Sequence, residues 1–140
     1  MSLFSVFSIS GSGMLAESQR LAAVASNLAN ANSVGDAQGQ PYRAREVVFQ
    51  AVAPEDGDGD GAASIGMAGV RVAGVVTSSE PARSAYDPGS KFANADGYVQ
   101  MPNVNPVDEM VNMISAQQNY QADLEAFNVA KTLLQKTLAI

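Results

Sequence analysis

Apolar positions at the two ends of this chain recur at helical spacing, whereas those in the middle alternate or are broken by glycine and proline. Three zones follow. In residues 1–34 the pattern predicts a helix from about Ser5 onward. Met14, Leu21 and Leu28 recur every seven residues, and Val24 and Ala31 fill the alternate positions of the stripe. Gly11 and Gly13 weaken its early part by roughly 1 kcal/mol each relative to alanine, so the N-terminal end is expected to order on assembly. The zone ends in the asparagine-dense run Ala25-Ser26-Asn27-Leu28-Ala29-Asn30-Ala31-Asn32-Ser33, and asparagine tolerates the left-handed conformation that closes helices.

Residues 35–103 read as a small β-rich insert. Arg45 to Val52 and Val70 to Thr77 are valine-rich strands. The second has only a weak polar face, so part of it is expected to be buried. Asp87-Pro88-Gly89 and Asp96-Gly97 are turn signals, and Tyr98 to Met101 is a last short strand. Residues 104–140 predict one long helix. Asn105 caps it, Pro106 takes its first position, and Asp108 and Glu109 sit in its first turn. Met113, Tyr120, Phe127 and Leu134 hold one seam position of a heptad pattern. Met110, Gln117, Leu124, Lys131 and Leu138 hold the other. From Pro106 to Leu138 such a helix would be ~50 Å long, longer than a compact domain of this size needs.

The matching stripe of the N-terminal zone is its natural partner. The expected fold is therefore mainly α, with the two terminal helices paired as an antiparallel coiled coil and the β insert at the far end. The pair alone leaves much apolar surface open, and Leu3, Phe4, Val6, Phe7 and Ile9 also need cover. A self-contained helical hairpin is the plain alternative to packing between chains. Gln117 and Lys131 favour the latter, because polar seam residues set register and partner choice at a cost in stability.

Composition narrows the function by exclusion. The 140 residues carry a net charge of −6, and the eight lysines and arginines never cluster, which disfavours nucleic acid. Without cysteine or histidine there is no disulfide, no thiolate nucleophile and no zinc–sulfur site, and the commonest general base is absent. The N-terminus lacks a positive region ahead of its apolar residues, so no cleaved signal peptide is expected. No apolar run is long enough to span a membrane. No serine–lysine pairing stands out, Gly11-Ser12-Gly13 is only a fragment of a dinucleotide fingerprint, and Asp108 and Glu109 read as a helix N-terminus. No enzyme and no cofactor are expected.

One stretch invites a metal. Glu55 to Gly61 reads EDGDGDG, and Asp56-x-Asp58-x-Asp60-Gly61 fits the first half of a calcium loop. Counting from Asp56, position twelve is Met67, whose thioether cannot supply the bidentate oxygen ligand the site needs. Residues 55–61 therefore read as a flexible acidic loop. A calcium-binding interaction module using Asp56, Asp58 and Asp60 is the alternative function.

The ends of the chain resemble a known family. Residues 25–33 are similar to the N-terminal signature of bacterial flagellar axial proteins, the rod and hook group. Asn103-Val104-Asn105-Pro106-Val107-Asp108-Glu109-Met110-Val111-Asn112-Met113, followed by Asn119-Tyr120-Gln121-Ala122, is similar to their C-terminal counterpart. Residues 69–76, 86–89 and 96–104 resemble the basal-body rod proteins of the proximal rod in particular. The resemblance implies a structural subunit exported without processing through the flagellar type III apparatus. It would polymerise into a helical, hollow rod in the periplasm that carries motor torque to the hook. Implied partners are copies of itself, other rod proteins, and the membrane-ring and rod-base adapter proteins. The residues expected at subunit contacts are Met14, Leu21, Val24, Leu28, Met110, Met113, Gln117, Tyr120, Leu124, Phe127, Leu134 and Leu138 of the seams. Asn27, Asn30 and Asn32 would join neighbouring backbones through their amides.

Overall fold

A computed structural model describes residues 3–35, 40–52 and 69–138; the acidic run 55–61 lies outside these residues. The order of elements is α1 (Leu3–Asn30), β1 (Arg45–Val52), β2 (Gly69–Thr77), β3 (Arg83–Tyr86), β4 (Tyr98–Met101) and α2 (Pro106–Leu138). Two long helices therefore bracket two small antiparallel sheets, β1–β2 and β3–β4.

α2 starts as its sequence dictates. Asn105 Oδ1 accepts from Val107 N at 3.1 Å, and its amide donates to Asp108 Oδ2 at 2.7 Å. Proline at the first helical position has no N–H to leave unpaired. α1 closes differently from expectation. Ala31 N donates to Leu28 O and Ser33 N to Asn30 O, and no non-glycine residue among the described residues has a positive φ. Ordinary turns close α1 where a left-handed asparagine was expected.

The helices run antiparallel. Phe7 meets Phe127 edge to face with ring centroids 4.8 Å apart, Asn119 Nδ2 donates to Glu17 Oε1 at 3.1 Å, and Asn27 bonds Glu109. Each step up α1 is thus matched by a step down α2. On α1 the buried row is Ser10, Gly13, Glu17, Val24 and Asn27, continued by Ala31 just past its end, at the three- and four-residue steps of one helix face, with Ala16 buried beside it.

On α2 the first seam row, Met113, Tyr120, Phe127 and Leu134, lies half-buried as expected. The second row does not. Met110, Gln117, Leu124, Lys131 and Leu138 are exposed, and their place against α1 is taken by the residues one step earlier: Glu109, Ala116, Asp123 and Ala130. Ala116 and Ala130 are buried. The reason is close approach. A Cβ at Gly13 would stand 2.8 Å from Asp123 Cγ, so glycine is what admits this carboxylate. A leucine row would hold the helices further apart.

The β insert also sits elsewhere than at the far end of the pair. The β1–β2 hairpin runs along the flank of α1: Val70 N donates to Ser12 Oγ at 3.1 Å near one end, and Arg45 bonds Asn27 near the other. Ala73 falls where the register shifts, leaving a bulge in β2 opposite Val48 and Phe49. Only Val70 and Val72 of the β2 valines are half-buried, and Val75 and Val76 are exposed. β3 and β4 form a separate hairpin in which Tyr86 and Tyr98 pair directly, their rings edge to face at 5.3 Å. Gly97 closes its turn with φ of 82°, where a Cβ would lie 3.0 Å from the Tyr86 ring. A small apolar core of Ala31, Ala44 and Val104, with Tyr42 against it, ties the end of α1 to the approaches of β1 and α2.

Candidate functional site

Three features stand out: an amide clamp, a set of carboxylates between the helices, and a cleft beside them. The clamp centres on Asn27, which is 1% exposed. Its Nδ2 donates to Arg45 O and its Oδ1 accepts from Arg45 N, both at 2.9 Å, so one amide takes both backbone groups at the start of β1. The Tyr42 hydroxyl also donates to Oδ1, at 2.9 Å. Asn103 does the same work one residue earlier, accepting from Ala44 N at 2.8 Å and donating to Glu80 O at 3.1 Å. The Arg83 guanidinium completes this corner on Pro102 O and Ala31 O.

Asn27 joins α1 to the start of β1 within the chain, where contacts between chains were expected of it. Asn30 turns back onto its own helix, donating to Ser26 O, and Asn32 is exposed. Tyr42, Asn103 and Arg83 were not anticipated. Asn103 stands in the run shared with flagellar proteins, but only the fold reveals that it meets Ala44.

The carboxylates are Glu17, Glu109 and Asp123. Burial raises the Asp123 carboxyl above its ordinary value, and the nearby charge of Glu17 adds to the rise. Burial also raises Glu109. The Asn27 hydrogen bond pulls it partly back, and the charges of Glu46 and Asp108 push it further up. Glu109 Oε2 and Glu17 Oε2 are buried with no hydrogen-bond partner among the described residues, although Arg20 stands 3.6 Å from the latter. Glu17 and Asp123 face each other across the helix pair, and Glu109 lies nearer the start of α2 beside Asn27.

A pH dependence follows. Between their unfolded and their raised folded values Asp123 and Glu109 bind more protons in the folded chain than in the unfolded one, so their contribution to stability grows as pH falls through that window and is lost as pH rises through the folded values. Urea unfolding is expected to give a higher midpoint at pH 5 than at pH 7.5, and Asp123→Asn with Glu109→Gln to flatten that difference. An unchanged slope in the double variant would assign the pH dependence to other groups.

The cleft, of about 320 Å³, lies where α1, β1 and the start of α2 converge. Arg20, Ala23, Val24 and Asn27 line it from α1, Arg45, Glu46, Val47 and Phe49 from β1, and Glu109 and Asn112 from α2. Among the described residues no three acidic, histidine or cysteine side chains are grouped to hold a metal ion. No helix among them is long and apolar enough to cross a membrane.

The expected contact residues divide by exposure. Val24 and Asn27 are buried. Met14, Leu21, Leu28, Asn30, Met113, Tyr120, Phe127 and Leu134 are half-buried. Asn32, Met110, Gln117, Leu124 and Leu138 are open. A further apolar stripe, Val107, Met110, Val111 and Ile114, lies exposed on the first two turns of α2, with Val111 61% exposed. Phe4 and Leu15 are likewise exposed on α1.

Comparison with known proteins is consistent end to end. Residues 7–35 match the family described as flagella basal body rod protein, and residues 95–140 match the family described as flagellar basal body rod FlgEFG protein C-terminal. The flagellar basal-body rod protein FlgC of Salmonella typhimurium is 47% identical over 140 residues, covering all of this chain and 98% of that protein. Its counterpart in Escherichia coli O6:H1 is 49% identical over the same span, and that of Buchnera aphidicola from Acyrthosiphon pisum is 41% identical over 142 residues.

Proposed function

We propose, because this chain belongs to the FlgC family of flagellar basal-body rod proteins, that it works as a repeated mechanical element: a structural subunit that polymerises into the proximal part of the rod. Identity of nearly half over the full length carries this reading. The structure supplies what such a role needs. An open row along α2 and open apolar residues on α1 remain after the helices have paired, more exposed apolar surface than a chain working alone has use for.

In the rod, the α1–α2 pair acts as a coiled coil in the inner tube, and residues 35–103 form a separate β-rich unit carried on its flank. The chain is exported through the flagellar type III apparatus without loss of a signal peptide. It assembles in the periplasm above the membrane ring, in contact with the rod-base adapter and other rod proteins. Torque passes as small loads through many packed contacts, each contributing dispersion and burial energy. No catalytic step is assigned to it. The calcium alternative rests on Asp56, Asp58 and Asp60, outside the described residues, and no observation favours it.

Deleting the gene is expected to leave basal bodies with a membrane ring but without rod and hook under the electron microscope, and the intact gene to restore both. Rods and hooks of normal form in the deletion strain would overturn the assignment.

A further inference from the structure

We propose that the C-terminal tip of α2 in one copy seats in the cleft between α1, β1 and α2 of the next copy. The inference rests on the rod reading above and adds which surfaces meet.

The tip is an overhang. Phe7 lies opposite Phe127, so Leu3 falls opposite about residue 131, and α2 continues some seven residues, ~10 Å, beyond the start of α1. Leu133 and Leu138 there are 51% and 79% exposed. Lys131 and Lys136 are exposed beside them, with no hydrogen bond or ion pair to another described residue. An apolar tip with exposed cations suits a cleft that has an apolar wall and carboxylates beside it.

The cleft between α1, β1 and α2 has both. Val47 and Phe49 give it an apolar wall, and its two arginines are already engaged: Arg20 stands 3.6 Å from Glu17, and Arg45 lies over the Tyr42 ring at 5.7 Å. Its carboxylates keep capacity to spare: Glu46 is exposed with no partner among the described residues, and Glu109, although bonded by Asn27, has its Oε2 buried without one. A lysine arriving there would satisfy the oxygen that the chain itself leaves unpaired. The volume of about 320 Å³ equals the share of roughly ten waters, which a leucine and a lysine stem would displace.

The tip that enters is a second copy's, not the chain's own. Lys136 stands 27 residues beyond Glu109 on one unbroken helix, about 40 Å away, so the tip cannot fold back into its own cleft. Tip and cleft are different surfaces, so the contact is heterologous and propagates into a ring or an open helical array, whereas a two-fold contact would stop at a dimer.

The absence of native cysteine makes the test direct. The chain carrying both Val47→Cys and Leu138→Cys is expressed in the deletion strain, and assembled basal bodies are oxidised and run without reductant. A ladder of covalent dimers and higher oligomers of this chain is expected, with none from either single variant. A charge pair serves as second readout. Lys136→Glu or Glu46→Lys alone is expected to lower incorporation about tenfold, as like charges meet, and the two together to restore it. Rods that assemble without a ladder and show no rescue by the charge pair would overturn the contact while leaving the rod assignment standing. Cross-linking of Leu138→Cys to a different rod protein would overturn it too, by naming another occupant.

Discussion

Asn27→Ala is expected to lower the stability of the isolated chain by about 3 kcal/mol, the largest loss from any single hydrogen-bonding side chain among the described residues. Three hydrogen bonds tie this amide to Arg45 and Tyr42, from Arg45 N, from the Tyr42 hydroxyl and to Arg45 O, and a fourth joins it to Glu109. Each contributes about 1 kcal/mol net, and backbone groups left unpaired add to the loss. The clamp also joins elements distant in sequence, so its removal frees the start of β1 from α1. The urea midpoint should fall with an unchanged slope, because the surface exposed on unfolding is the same. Asn27→Asp separates acceptor from donor. It keeps the bonds from Arg45 N and Tyr42, loses those to Arg45 O and Glu109, and sets a second carboxylate beside Glu109. Its loss should therefore shrink as pH falls, whereas the alanine loss should not share that trend. A midpoint for Asn27→Ala within the error of the parent would show that water replaces the amide at no cost.

These two substitutions also mark what could be read from the sequence. Elements governed by local chemistry were legible. Asn105-Pro106 announces the start of α2, neither proline nor glycine interrupts it before Leu138, and the valines of Arg45 to Val52 announce β1. β3 was not legible, because Arg-Ser-Ala-Tyr has no strong strand preference. It is paired by β4 across a turn that Asn94 organises, its Oδ1 accepting from Asp96 N and Tyr98 N. The helix seam was half legible. Counting by large apolar residues selected Leu124 and its row, but the helices approach over small and polar positions, Gly13, Ala116 and Ala130 among them. Charged residues in a helix read as solvated, so Glu17, Asp123 and Glu109 gave no signal of lying between the helices. Asn27 was legible as a joining amide; its partner, Arg45, was not, since nothing in the sequence says that the strand returns there.

Leu124→Asp is expected to abolish rod assembly and motility while leaving the isolated chain folded. Leu124 is 40% exposed and belongs to the α2 row that faces away from α1. A carboxylate there meets water in the monomer, and surface changes of that kind usually stay within about 0.5 kcal/mol. In a rod where a neighbour covers this row, the same carboxylate would be buried without a partner, a penalty of several kcal/mol. Every 1.4 kcal/mol weakens association tenfold, and each subunit added repeats the penalty. Met113→Asp supplies the contrast, because Met113 faces α1 and its replacement should unfold the helix pair itself. Circular dichroism and a thermal melt on the purified variants separate the two cases, and swimming on soft agar reads the outcome. A folded Leu124→Asp chain in non-motile cells places a neighbouring subunit on this row. Normal swimming would mean that the row faces no neighbour, and that subunits meet through the tip of α2, its first two turns or the outer face of α1.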